Sequence, residues 1–387
     1  MKSFIVTSIS LLCAVGLLAQ SKPSQPGEPE QQGQSATSTG QNQKPIDSSN
    51  FDIALKPGDD FFLYANGGWI KRTEIPPEYT RWGSFNELIE HNNDALHAIA
   101  EKAQNTKIDP RMAPETQKTG DFYASGMDEK TIEAQRTKPL DNEFKAIDGV
   151  NDRAALQKEI AHLHSMGIPV LFNFGSSPDS KDSTHEIAQA VQGGLGLPDR
   201  DYYIKTDEAS KKLRDQYVDH VAKMLTLLRD PAPKAHDEAK KILALETKLA
   251  QASRTRVQLR DPQKNYNKMP VRQLQELTPD WNWRDYFNQI NLLSPQNVNV
   301  HQPEFFKTAD QVFKETPLEN LKAYLRWHLI DATASDLSKN FVDEDFNFKE
   351  RTLRGAQQIK PRWKRVVESE NNAIGEALGK LYVAYNF

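Results

Sequence analysis

The chain has 387 residues, with 49 Lys plus Arg against 53 Asp plus Glu and a net charge of −4. At roughly 150 residues per domain, this predicts two or three units with a real buried core and excludes a peptide-sized or disulfide-stapled scaffold. The acidic balance supplies no field for a nucleic-acid partner, and 37% AVILMFWYC with 26% charged residues describes a globular chain carrying one polar excess.

That excess lies near the N terminus. Lys2, an apolar run from Phe4 to Leu18 and the small-residue stretch Ala19-Gln20-Ser21 follow the order of a secretory signal peptide, predicted over 1–21. The run of 15 residues contains Thr7, Ser8 and Ser10 and falls short of the roughly 20 needed to span a bilayer, so an uncleaved membrane anchor is the lesser alternative. Cys13, the single cysteine, sits in this discarded segment. A secreted or periplasmic mature chain would then have neither disulfides nor a thiolate metal site. Residues 22–50 hold only Ala36 and Ile46 as aliphatic residues among Gln, Ser, Pro, Gly and Thr, and are predicted to form a disordered tether.

From Phe51 onward the pattern is mostly helical. Asn66-Gly67-Gly68-Trp69 reads as a turn whose glycines permit positive φ and deliver Trp69 into a core. Ser84-Phe85-Asn86-Glu87 reads as a capping box opening a helix over 84–103, with Phe85, Leu88, Ile89, Leu96 and Ile99 on one apolar face. Further helices are predicted at 114–126, 151–166, 207–229, 235–253, 317–333 and 362–384. Between them, Ile168 to Phe174 and Glu186 to Val191 flank the turn-rich Gly175 to Ser180 and predict a hairpin within 168–192. Gly193-Gly194-Leu195-Gly196 reads as a flexible turn, since no lysine follows to complete a phosphate cradle. The expected fold is mainly α, a multi-helical assembly with a small β-hairpin, without a repeat or a sustained heptad.

Chemistry is harder to find. A helical zinc site needs two histidines four residues apart around a glutamate, and none of the nine histidines satisfies that spacing. His185-Glu186-Ile187-Ala188-Gln189 comes nearest, with Gln189 in the second ligand position. His162 and His164, two apart on a predicted helix, should diverge and read as structural. Nucleophile elbows are absent from the sequence. Asp59-Asp60 and Asp343-Glu344-Asp345 read as solvated charge or helix caps, because no calcium-loop glycine accompanies them.

Lys56-Pro57-Gly58-Asp59-Asp60-Phe61-Phe62-Leu63-Tyr64-Ala65-Asn66-Gly67-Gly68-Trp69, followed by Ile75-Pro76-Pro77 and Arg81-Trp82-Gly83-Ser84-Phe85, resembles the N-terminal region of neprilysin-like (endothelin-converting-enzyme-like) zinc metallopeptidases. Gly194 to Tyr203, Leu245-Glu246, Tyr266-Asn267-Lys268-Met269 and Ala377 to Val383 resemble the same family in the same order, so the likeness covers about 51–387. Asn66 stands where disulfide-bearing members carry cysteine, which points to the bacterial branch. Structural roles are expected for the Asn66 to Trp69 and Leu197 to Tyr202 segments.

The resemblance implies the lid-side region of a two-domain zincin-type peptidase that cleaves small peptide substrates. Its zinc ligands, a His-Glu-x-x-His helix and a downstream Glu, belong to a C-terminal catalytic domain absent from these 387 residues. No cofactor, catalytic residue or metal ligand is therefore expected in this chain, and it should be inactive alone. Its expected partner is that catalytic domain, in cis or in trans. Arg81 stands where the family places an arginine for the free C-terminal carboxylate of substrates, a task suited to a planar guanidinium fork. The family's second arginine, eight residues on, is replaced by Ile89, which leaves Arg81 a partial anchor. A non-catalytic peptide-binding protein and one half of a split peptidase are the alternatives. The apolar terminus Leu381 to Phe387 further predicts an uncovered face and self-association.

Overall fold

The computed structural model describes residues 46–106, 114–293 and 295–387. The signal peptide, Cys13 and most of the tether lie outside the described residues. The chain divides into two compact units, one ending at Thr73 and the other spanning Glu74–Phe387.

In the first unit, Ser48–Asn50 forms a 3-10 turn where the tether was expected to continue, capped by the Asp47 side chain. Helix α1 (Phe61–Arg72) follows, its N terminus capped by Asp60 accepting from Leu63 N at 2.9 Å. The expected turn at Asn66 to Trp69 is therefore helix, and neither glycine has positive φ. The glycines serve close approach instead: a Cβ on Gly68 would stand 2.5 Å from Ser49 O. Trp69 is only half-buried.

The second unit contains α2 (Ser84–Gln104), α3 (Pro114–Met127), α4 (Glu129–Gln135), α5 (Asp141–Asp148) and α6 (Arg153–Ser165). Strands β1 (Phe172–Asp179) and β2 (Asp182–Gln192) come next, then α7 (Asp201–Ile204), α8 (Glu208–Leu227) and α9 (Ala232–Ala252). Strand β3 (Lys268–Pro270), α10 (Val271–Leu277), α11 (Trp283–Gln289) and β4 (Asn297–Val300) precede α12 (Pro303–Glu315), α13 (Leu318–Thr333), α14 (Lys339–Asp345) and α15 (Arg362–Asn386). A π-helical turn, Phe346–Thr352, follows α14, and α15 is kinked at Ile374. Aspartates set several starts: Asp152 caps α6 through Ala155 N and Asp207 caps α8 through Ser210 N. Helix α2 departs from its expected capping box. Gly83 is the N-cap and its carbonyl accepts from Asn86 N and Glu87 N, so Ser84 is already helical.

The expected hairpin is half of a mixed sheet in the order β1-β2-β4-β3. β1 and β2 pair antiparallel from Phe172↔Gln192, β2 and β4 pair parallel at Ala190↔Val300, and β3 returns antiparallel at Met269↔Val298. Beside the sheet, Phe172 meets Trp281, Trp283, Tyr286 and Phe306 with ring centroids 5.2–5.8 Å apart, the aromatic centre of the main core. A smaller layer packs α15 against α2 and α3 through Ala100, Tyr123, Val366 and Val367. Among the described residues no helix is long and apolar enough to cross a membrane.

Candidate functional site

The histidines fit no peptidase zinc site. His164 donates and accepts within the core, 2.7 Å from Tyr286 Oη and 2.8 Å from Val170 O, and its burial pulls the imidazole pKa down to about 4. His162, on the same helix, turns instead to Glu143 Oε2 at 2.6 Å, so the two rings diverge. His185 lies on β2 against Asp182, 2.9 Å away, while Gln189 bonds Ser177, Asn299 and His301. His220 and Glu344 form a buried pair at 2.9 Å that also engages Lys223, which corrects the expectation that Glu344 is solvated charge or a cap. No step of peptide hydrolysis follows from these residues.

The segment from Gly194 to Tyr203 serves structure. Gly194 adopts φ +73°, and its carbonyl accepts from Tyr324 Oη at 2.9 Å. The same Tyr324 oxygen accepts from Leu171 N at 2.9 Å, holding a leucine backbone at φ +61°. A methyl at Gly196 would overlap the Tyr217 hydroxyl. The expected flexible turn is thus a clamped one. Behind it, fully buried Glu246 accepts from Tyr203 at 2.8 Å and from Tyr217 at 2.8 and 3.0 Å, with His328 at 3.1 Å. Burial drives both phenols well above their ordinary pKa, so they remain donors to the carboxylate.

Arg81 lies in the loop before α2, exposed, with no hydrogen bond or ion pair among the described residues. The loop itself is pinned. Pro77 O accepts from Gln357 N and Gln358 N at 2.9 and 3.0 Å, and Tyr79 packs edge-on to Trp82 at 4.9 Å. Tyr79 donates to Glu90, which also pairs with Lys364 of α15. Burial opposes ionisation of Glu90, but these two partners hold its carboxyl below the usual range. The helix that follows presents Phe85, Leu88 and Ile89 at 82%, 56% and 48% exposure, whereas only its later turns bury Ile99, Ala100 and Ala103. The expected apolar face exists, but its first half is only partly covered among the described residues. A guanidinium in the loop that leads into such a helix has the chemistry to bind a carboxylate attached to an apolar group.

A larger cleft of about 1040 Å³ lies elsewhere, beside the hairpin, bordered by Phe174, Asp179, His185, Lys268 and Tyr286. Lys268 holds the Asp179 carboxyl down at about 2. Arg81 does not line it. Spacing gave no signal for this cleft, because its walls come from segments more than 80 residues apart, such as Asp179 and Lys268 with a separation of 89.

The sequence profile of peptidase family M13 matches residues 57–387. Endothelin-converting enzyme 1 of Bos taurus is 31% identical over 355 residues, 88% of this chain and 46% of that protein. Neprilysin of Mus musculus is 29% identical over 369 residues, 87% of this chain and 48% of that protein. Among solved structures, the zinc metalloprotease ZMP1 of Mycobacterium tuberculosis in complex with an inhibitor superposes with a TM-score of 0.83 at 33% identity, covering 88% of this chain and 52% of that one. The chain thus spans about half the length of the relatives it matches. On sequence and fold together, the chain belongs to peptidase family M13.

Proposed function

We propose that these residues are the substrate-gating N-terminal portion of an exported zinc metalloendopeptidase acting on small peptides, and that they hydrolyse nothing by themselves. The observation that carries this reading is a match to about half of each M13 relative by a sequence without a His-Glu-x-x-His motif. The zinc chemistry then belongs to a C-terminal catalytic domain, joined in cis or supplied in trans. A zinc-supplemented peptidase assay of the 387-residue chain should show no turnover. Hydrolysis abolished by a chelator would refute the reading.

Within it, Arg81 receives the free carboxylate of the peptide, and Ile89 adds apolar contact where a second cation would have tightened the grip. Exposed as it is here, the guanidinium contributes at most about 1 kcal/mol to an ion pair. Enclosed in the complete peptidase, a charged hydrogen bond contributes about 1.5–3 kcal/mol. Arg81→Ala should then lower kcat/KM about 10- to 150-fold for peptides with a free C terminus and leave amidated ones unchanged. Equal losses for both would make Arg81 structural. Binding of short peptides by the isolated chain, weakened by Arg81→Ala, would favour the non-catalytic peptide-binding alternative.

A further inference from the structure

We propose that Glu143, Glu159 and His162 form a zinc-binding site that ties α5 to α6. Glu159 and His162 are three residues apart on α6 and so share a face, and Glu143 reaches them from α5. One ligand atom from each of the three lies within 4.8 Å of the others.

Proximity of acids to a histidine is common on protein surfaces, and the burial of Glu159 distinguishes this cluster. Its residue is 8% exposed, and its Oε1 is buried without a hydrogen-bond partner among the described residues. Leaving such an oxygen unpaired is costly, and a cation is the partner that satisfies it most strongly. His162 and Glu143 are already in contact at 2.6 Å, with side chains 47% and 24% exposed, so the open side of the cluster faces solvent.

The donor set selects the ion. One imidazole with two carboxylates suits Zn²⁺, whose ligand atoms stand about 3.3 Å apart in a tetrahedron of about 2.0 Å bonds. Zinc binding would bring the three ligand atoms from within 4.8 Å of one another to that spacing and leave a fourth position to water. Calcium and magnesium take all-oxygen shells, so an imidazole counts against them. A Glu-x-x-His pair on one helix completed by a Glu from its neighbour is also an efficient way to build a site between packed helices.

The test uses the tag-free 387-residue chain stripped with a chelator, titrated with Zn²⁺ against a competing fluorescent chelator and followed by thermal melting. One equivalent should bind and raise Tm in proportion to the logarithm of free zinc. His162→Asn, a change on a half-exposed side chain that leaves folding intact, should weaken binding on the order of 100-fold and remove the Tm shift; Glu159→Gln should do the same. His185→Asn serves as a control and should change neither. Zinc binding that survives His162→Asn, absence of binding below millimolar zinc, or equal affinity for Ca²⁺ would overturn the proposal.

Discussion

Glu370 offers the sharpest test of how this fold handles buried charge. It lies on α15, fully buried, with neither carboxylate oxygen partnered among the described residues. Burial raises its pKa from the ordinary 4.5 to about 7, and the neighbouring Thr119 hydroxyl pulls only weakly the other way. The folded state therefore binds a proton that the unfolded state has released, so this residue's contribution is favourable in acid and is lost as pH rises toward and past 7. At about 1.4 kcal/mol per pKa unit, the cost of ionising Glu370 in place is about 3 kcal/mol at pH 8 and under about 1 kcal/mol at pH 5. Glu370→Gln removes the titration and keeps the shape. Urea unfolding followed by tryptophan fluorescence should show the variant gaining on wild type by roughly 2.5 kcal/mol between pH 5 and pH 8. Trp363, stacked on His97 at 4.2 Å in the same helical layer, is one of six tryptophans that contribute to the signal. A difference between variant and wild type that is constant with pH, or that shrinks as pH rises, would refute this reasoning.

His164 should act at the opposite end of the pH scale. Its folded pKa is depressed from 6.5 to about 4, so its contribution is complete above 6.5 and lost as pH falls toward 4, about 2 kcal/mol by pH 5; His164→Gln should flatten that acid limb in the same urea titration. Tyr324→Phe leaves Leu171 N–H and Gly194 C=O buried without their shared partner and should cost about 2–3 kcal/mol. A loss below about 0.5 kcal/mol by chemical denaturation would show that the clamp is dispensable. Phe85→Ser combined with Ile89→Asn should reduce self-association in sedimentation velocity while changing unfolding free energy by less than about 0.5 kcal/mol, since both side chains are largely uncovered. A monomeric wild-type chain would contradict the premise.

The long helices were legible because a 3.6-residue apolar period needs only local sequence: 151–166 was expected and Arg153–Ser165 is found, and 207–229 became Glu208–Leu227. Elements of seven residues, such as α10, α11 and α14, carry too few turns to establish a period. Strands β3 and β4 escaped because their existence depends on a partner far along the chain: Ala190 pairs with Val300 across a parallel register that no local pattern encodes. Periodicity also identified an apolar face on α2 without revealing what covers it, and so Phe85 and Ile99, grouped together in the sequence, have opposite environments. At the level of sites, the proposal for Arg81 rests on family likeness, since spacing gives it no signal. The Glu159 and His162 spacing could be read directly, but Glu143 joins them only through the packing of two helices.

The helical layer of α2, α3 and α15 also constrains how the chain is made. Glu90 finds Lys364 across 274 residues, and Asn93 meets Glu368 across 275. At a synthesis rate of about 5–20 residues per second, α2 waits roughly 14 to 55 s after leaving the ribosome before its partner helix emerges. Ala100 can meet Tyr123 of α3 early, but Ile99 lacks its α15 neighbours Leu378 and Leu381 for that interval, while the main core can already assemble from residues made in between. Completion of the layer thus waits for the synthesis of α15, and a chaperone or export factor that engages α2 during that wait competes directly with α15.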